Sequence, residues 1–341
     1  MLWVACAVLY VFDYYAINWP SVFEIHHKTA INFIKLMKTA SGWTALLATF
    51  FMVHVTFIVS EQHTEADIIS YIAFLTFLLL WLAPVHFMHL KVRRELAVVL
   101  GHIFISPFGK VGFPHFFTAD VLTSLSKPIA DIFRSFCFIS SDAWKTNTEN
   151  SCPNQLYWIY MLSVIPYVWR FLQCWNRFYY TRQWFPHLVN AGKYTFGILT
   201  VTVSYFEPQM DPTNTRGILV TIFVIGTLYM LTWDTMMDFG FRRFFTAAGR
   251  KQCMYPRWMY YYVSVCNAVL RLTWSLTLIP KSWLVNKYLQ VEVVLLFVCL
   301  LEILRRGQWT LLRIENEKFS NIEKYRNEDF VPKMPKIIVD D

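Results

Sequence analysis

Charged residues are scarce in this chain. Asp, Glu, Lys and Arg make up 16% of its 341 residues and 56% are hydrophobic, against about 25% charged in soluble domains. That balance excludes an ordinary water-soluble globule and points to a polytopic membrane protein in a lipid bilayer. Glycine (11) and proline (14) are too few for a flexible linker, so length alone does not argue for two domains. One integral unit with a short soluble tail is expected. The cysteines (Cys6, Cys137, Cys152, Cys174, Cys253, Cys266 and Cys299) contain no C-x-x-C pair and have no His at metal-ligand spacing. Neither a metal site nor a disulfide framework is predicted; these cysteines read mostly as small apolar packing residues. "MLWVACAVLYVF" lacks a basic n-region, so no cleavable signal is expected. Internal repeats and low-complexity tracts are absent.

What is present is a series of apolar runs. A spanning helix needs about 20 predominantly apolar residues, and candidates fall at 41–60, 68–90, 116–140, 156–175, 192–206, 217–238, 258–280 and 286–305. The first two dozen residues hold one helix or two short ones. The fold class expected is therefore all-α, a transmembrane helical bundle of about nine to ten spans. The loops sort by charge. Loops 91–110, 176–190 and 241–257 are basic, whereas 61–67, 142–155 and 207–216 are acidic or mixed. By the positive-inside rule the basic set and the C-terminal tail are cytoplasmic. The net charge of +8 is thereby explained by loops, with no nucleic acid implied. The tail after about Asn321 is polar and is expected to be loosely ordered.

The informative residues are the charges inside apolar segments. An ionised side chain at mid-bilayer costs about 2.5–3.5 kcal/mol on insertion scales, so each needs a partner or a wet cavity. Asp120 lies in "FFTADVLTSLS", with Thr123 and Ser124 a turn later. Lys193 and Tyr194 open a segment. Asp234 and Asp238, in "LTWDTMMDFG", are spaced i,i+4 and share a helix face. Arg271 and Trp274, in "NAVLRLTWSL", are i,i+3 and share another. Arg305 and Arg306 complete the set in "LEILRRGQWT".

Each has a plainer reading. Lys193 can snorkel from a helix end. Arg305 and Arg306 can mark the cytoplasmic edge, with Glu302 pairing to Arg306 at i,i+4, and Asp238 can be interfacial. Arg271 sits near the middle of its segment, where function is the default. A shared polar cavity accounts for the whole set better than several accidents. Arginine forks match tetrahedral oxyanions and keep their charge, and carboxylates on a facing helix can neutralise them until an anion arrives.

The blocks "WRFLQCWNRFYYTRQWFPHLVNAGKY" (169–194), "LTWDTMMDFG" (231–240), "LRLTWS" (270–275) and "LEILRRGQWTLLRIENE" (301–317) resemble the EXS domain of the xenotropic and polytropic retrovirus receptor family of phosphate exporters. "PFGKVGFPHFFTADVLTSL" (107–125) resembles the opening of that domain. The resemblance runs from about Leu80 to Asn321. It implies N-terminal transmembrane helices over 1–90, an EXS-type transmembrane core over 91–321 and a cytoplasmic tail over 322–341. It also implies a homodimer, inorganic phosphate as the transported partner, no cofactor, and a plasma-membrane or Golgi location. The positions matching the family's phosphate pathway are Asp120, Lys193, Tyr194, Asp234, Asp238, Arg271, Trp274, Arg305 and Arg306. Full-length exporters of this kind carry an SPX sensor domain, and this sequence begins at the first membrane segment, so it resembles a truncated form or an SPX-lacking branch. Phosphate export from the cytosol, outward or into the Golgi lumen, is the leading expectation. A second is a Golgi trafficking adaptor with structural charges. An enzyme using Asp234 and Asp238 as an acid/base pair lacks a facing partner and a nucleophile, so no enzymatic activity is expected.

Overall fold

In the computed structural model, residues 1–25, 30–84, 89–106, 108–109, 111–140, 155–206, 212–241, 243, 253–278 and 291–320 are described. Among them the regular structure is all-helical. The chain runs α1 (Leu2–Tyr14), α2 (Trp19–Val22), α3 (Phe33–Val59), α4 (His63–Leu82), α5 (Leu90–Ile105), α6 (Phe113–Ser124), α7 (Ser126–Ser140), α8 (Gln155–Thr181), α9 (Trp184–Phe206), α10 (Pro212–Trp233), a π-helical turn (Asp234–Asp238), α11 (Arg257–Arg271), a 3-10 segment (Leu272–Leu278) and α12 (Val291–Ser320). Helices suit this composition because every backbone N–H and C=O is satisfied within the segment, which lipid requires.

Three helices are long and apolar enough to cross a membrane by length and composition: Phe33–Val59, Thr64–Leu82 and Thr215–Asp238. Helices α8, α9 and α12 are comparable in length, at 27, 23 and 30 residues, but carry inward-facing charge. The first two of the three form a peripheral hairpin. Trp43 stacks on Phe77 at 4.9 Å, while Leu47, Phe51 and Leu79 point outward, as side chains facing lipid do. Asn32 starts α3, its side-chain oxygen accepting from the Ile34 N–H at 2.9 Å, which satisfies one of the orphan donors of the first turn.

Several expected boundaries move. The basic stretch read as a loop at 91–110 is helical over Leu90–Ile105. Its Lys, Arg, Glu, Leu and Ala residues are good helix formers, and charge alone does not stop a helix. Arg93 turns back to cap α4, donating to the carbonyls of Ala83 (2.6 Å) and Trp81, a favoured place for a cation. The run read as one segment at 116–140 is two helices broken at Leu125. The segment at 258–280 changes from α to 3-10 after Arg271. Helix α12 does not stop near residue 305 but continues to Ser320, about 45 Å in all. Cys137 is disulfide-bonded, against the expectation of no disulfide; Cys6, Cys174, Cys253, Cys266 and Cys299 are free. The loop at 142–154 and the tail after Asn321 lie outside the described residues.

Helix α12 is the axis of the bundle. Trp309, Leu312 and Ile314 pack with Phe12 of α1, Phe113 and Phe117 of α6, and Tyr260 and Val263 of α11 in the largest buried cluster. Close approach depends on missing side chains at two places. A Cβ on Gly307 of α12 would come within 2.2 Å of Val4 on α1, and one on Gly197 of α9 within 2.3 Å of the Tyr167 ring on α8. These contacts hold α6, α8, α9, α10, α11 and α12 around a common interior.

Candidate functional site

That interior is charged. Arg170, Lys193, Arg271, Arg305, Arg306 and Arg313 meet Asp120, Asp234, Asp238 and Glu302 there. Among them Asp120, Arg170, Lys193, Asp234, Asp238, Arg305 and Arg306 are all buried. Side chains this costly to bury persist only when paired and hydrogen-bonded, and the pairing divides into three groups.

The first joins α6, α8 and α9. Arg170 Nε donates to Asp120 Oδ1 at 2.9 Å and its Nη2 to Oδ2 at 3.3 Å, a two-pronged pair. The Tyr194 hydroxyl donates to Asp120 Oδ1 at 2.5 Å and accepts from Arg170 Nη2 at 2.7 Å. Arg170 Nη1 donates to Gln173 Oε1 at 2.7 Å, and its guanidinium lies 4.7 Å from the centre of the Tyr194 ring.

The second joins the π turn, α11 and α12. Asp234 Oδ2 accepts from Arg271 Nη2 at 2.5 Å, Arg271 Nε at 3.0 Å and Asn267 Nδ2 at 3.0 Å. Arg305 Nη1 is 3.9 Å from the same oxygen and donates to Asn267 Oδ1 at 3.1 Å. Arg305 also grips Glu302 with two prongs, at 2.7 and 2.5 Å. Trp274, on the 3-10 segment, faces α10: its Nε1 donates to Thr227 Oγ1 at 3.0 Å, and its ring stacks on Phe223 at 4.7 Å.

The third surrounds Asp238. Trp309 Nε1 donates to Asp238 Oδ2 at 3.1 Å, Lys193 Nζ lies 3.8 Å from the same oxygen, and Arg313 Nε lies 3.6 Å from Oδ1. The Lys193 ammonium makes no hydrogen bond among the described residues and sits 4.9 Å from the Tyr194 ring centre. Next to Asp238 and over the ring of Tyr194, it stands between the first and third groups. Arg306 has no carboxylate partner among the described residues. Its Nε donates to Ser124 Oγ at 2.8 Å and its guanidinium covers the Trp309 ring at 4.6 Å.

All nine residues singled out in the sequence thus lie on the helices that enclose this interior, with corrections to how they are arranged. Asp234 and Asp238 do not act as one pair. They bracket a π-helical turn, closed by the Phe239 N–H on the Asp234 carbonyl at 2.7 Å, and each takes its own cations. The wider turn separates their surroundings; such turns recur at functional sites. Glu302 pairs with Arg305 at i,i+3 and not with Arg306, because Ser124 of α6 takes Glu302 Oε1 at 2.6 Å and draws Arg306 toward that helix. Arg305 and Arg306 turn inward and do not mark a solvent edge, and Lys193 is enclosed instead of snorkelling.

Arg170 was missed, together with its neighbour Gln173. The signal was available, since Arg170 interrupts an apolar run inside the 156–175 segment as Arg271 interrupts its own. Asn267, Trp309 and Arg313 carry no such mark, being a polar or aromatic residue on a mixed helix or a cation past the apolar window. Among the described residues no group of His, Cys, Asp and Glu could hold a metal ion. An apolar groove of about 670 Å³ between α9 and α10 is lined by Phe185, Val189, Ile225, Leu228, Tyr229 and Trp233 among others, with no charged side chain in its lining.

Comparison with known proteins matches residues 1–319 to the EXS family model, reaching back over the first 80 residues as well as the blocks read above. The chain is 33% identical over 344 residues to SPX and EXS domain-containing protein 1 of Dictyostelium discoideum, covering 96% of this chain and 37% of that protein. It is 28% identical to Phosphate transporter PHO1 homolog 1 of Arabidopsis thaliana (93% and 41%) and 30% identical to human Solute carrier family 53 member 1 (91% and 47%). The chain therefore spans less than half the length of these relatives.

Proposed function

This chain belongs to the EXS family, and on that premise we propose that it moves inorganic phosphate out of the cytosol through the charged interior. The observation that carries this reading is that two buried cations, Lys193 and Arg306, have no carboxylate at hydrogen-bonding distance among the described residues. Arg170, Arg271 and Arg305 have charge and geometry satisfied by Asp120, Asp234 and Glu302. A tetrahedral oxyanion supplies what remains, accepting from the ammonium and the guanidinium at once. Relatives named phosphate transporters support the same ligand.

In this reading Asp120, Lys193, Tyr194, Asp234, Asp238, Arg271, Trp274, Arg305 and Arg306 line the pathway. Arg170 holds Asp120 and Tyr194 in place. The carboxylates keep the empty site from repelling itself, and they compete with the ion once it is bound, so that it can leave; conduction needs both properties. The bundle crosses the plasma or Golgi membrane nine to ten times as a homodimer, residues 91–321 form the transporting core, and the C-terminus is cytoplasmic. The disulfide at Cys137, at the end of α7 beside the acidic 142–155 loop, supports that orientation, because disulfides persist on the oxidising side of a membrane.

The test is phosphate flux from proteoliposomes containing the purified chain. Saturable phosphate release that is lost on Arg306→Gln supports the reading; vesicles no leakier to phosphate than protein-free ones overturn it.

A further inference from the structure

Asp234 uses its two oxygens unequally. Every donor around it converges on Oδ2: Arg271 through Nε and Nη2, Asn267 through Nδ2, and Arg305 Nη1 at 3.9 Å. Oδ1 is equally buried and has no hydrogen-bond partner among the described residues. A buried acceptor left bare is costly, and two guanidinium groups beside it make this carboxylate an acceptor-only group. The missing partner must therefore be a donor. No side chain among the described residues supplies it: Lys193, the neighbouring cation, is held 3.8 Å from Asp238 and makes no hydrogen bond among them.

The cations that await the substrate ask for acceptors, while Asp234 Oδ1 asks for a donor. One ligand class offers both from a single tetrahedron. Inorganic phosphate at neutral pH keeps at least one P–OH beside its charged oxygens, and arsenate does the same. Sulfate has similar size and charge but no proton to give. We infer that Asp234 is the specificity-determining residue of the pathway: its Oδ1 accepts the hydrogen bond of a protonated oxyanion and rejects tetrahedral anions that lack an OH. The inference rests on the transport reading for the identity of the site, but its chemistry is that of binding. A site built to receive a substrate hydroxyl discriminates strongly against the analogue without it, because the bare acceptor then faces the analogue's own lone pairs.

The decisive probe is monofluorophosphate, a phosphate-shaped dianion in which fluorine replaces the hydroxyl. Purified protein is assayed with phosphate, arsenate, sulfate and monofluorophosphate, both for protection against thermal unfolding and for inhibition of radiolabelled phosphate flux. Arsenate is expected to match phosphate within a few-fold. Sulfate and monofluorophosphate are expected to be weaker by on the order of a hundredfold or more. Asp234→Asn, which turns an amide N–H toward the substrate, is expected to narrow that gap. Equal potency of monofluorophosphate and arsenate on the wild-type protein overturns the inference, and this comparison does not depend on how well the variant folds. The same selectivity in thermal protection, without any flux, supports the inference while overturning the transport reading.

Discussion

Arg305 and Arg306 are neighbours on α12, yet they bond directly to no common residue. Arg305 closes a two-pronged pair with Glu302 and reaches Asn267, while Arg306 points toward α6, donates to Ser124 and lies over Trp309. Side chains one residue apart project about 100° from each other, so the adjacent pair serves two directions. Arg305 is charge-paired, whereas Arg306 meets no carboxylate among the described residues.

The two arginines therefore respond differently to substitution. Arg306→Gln is expected to abolish nearly all phosphate flux with an unchanged melting temperature, and Arg306→Lys to reduce flux strongly, since the point charge stays but the fork is lost. Arg305→Gln strands Glu302 in the interior and is expected to lower stability by about 3–5 kcal/mol, seen as a fall in melting temperature in detergent. Equal melting-temperature losses at both positions refute the division of roles.

Arg170 and Asp120 make a buried pair sealed by Tyr194. Removing only one charge, as in Arg170→Leu or Asp120→Leu, is expected to cost about 3–5 kcal/mol, whereas the double replacement recovers most of that loss. Flux is not expected to recover with it, because Tyr194 loses the groups that position it. A double-mutant cycle read by both unfolding and flux measures the two effects separately.

Gly307 lets α12 touch α1. Gly307→Ala places a methyl group within 2.2 Å of Val4, and overpacking of this kind costs about 1–3 kcal/mol. Val4→Ala in the same chain is expected to restore most of the stability, since the clash is with one side-chain methyl. Thermal unfolding of the single and double variants checks this, and a lack of rescue places the strain elsewhere.

Topology is tested by cysteine labelling. Cysteines placed in 241–257 are expected to react with an impermeant maleimide only after permeabilisation, and those in 207–216 without it. The reverse pattern inverts the orientation inferred from charge and from the Cys137 disulfide.

Local composition was enough to establish much of this molecule. Scarce charge and long apolar runs specify a helical membrane protein, and the cost of an ion in hydrocarbon picks out Asp120, Lys193, Asp234, Asp238, Arg271, Arg305 and Arg306, because each term depends only on residue type and its immediate neighbours. The extent of α5 and α12 was not legible, since a window of hydropathy ends where charge begins although a helix does not. Partnership was not legible either. Asp120 meets Arg170 across 50 positions, Asp234 meets Arg271 across 37, and Ser124 connects to Arg306 across 182. Only the packing of α6 on α8, and of α12 against α6 and α11, brings those groups within hydrogen-bonding distance. The same packing, through the π turn, gives Asp234 one crowded oxygen and one bare one: i,i+4 spacing predicts a shared face, but the surroundings of each atom are set by helices far away in the chain.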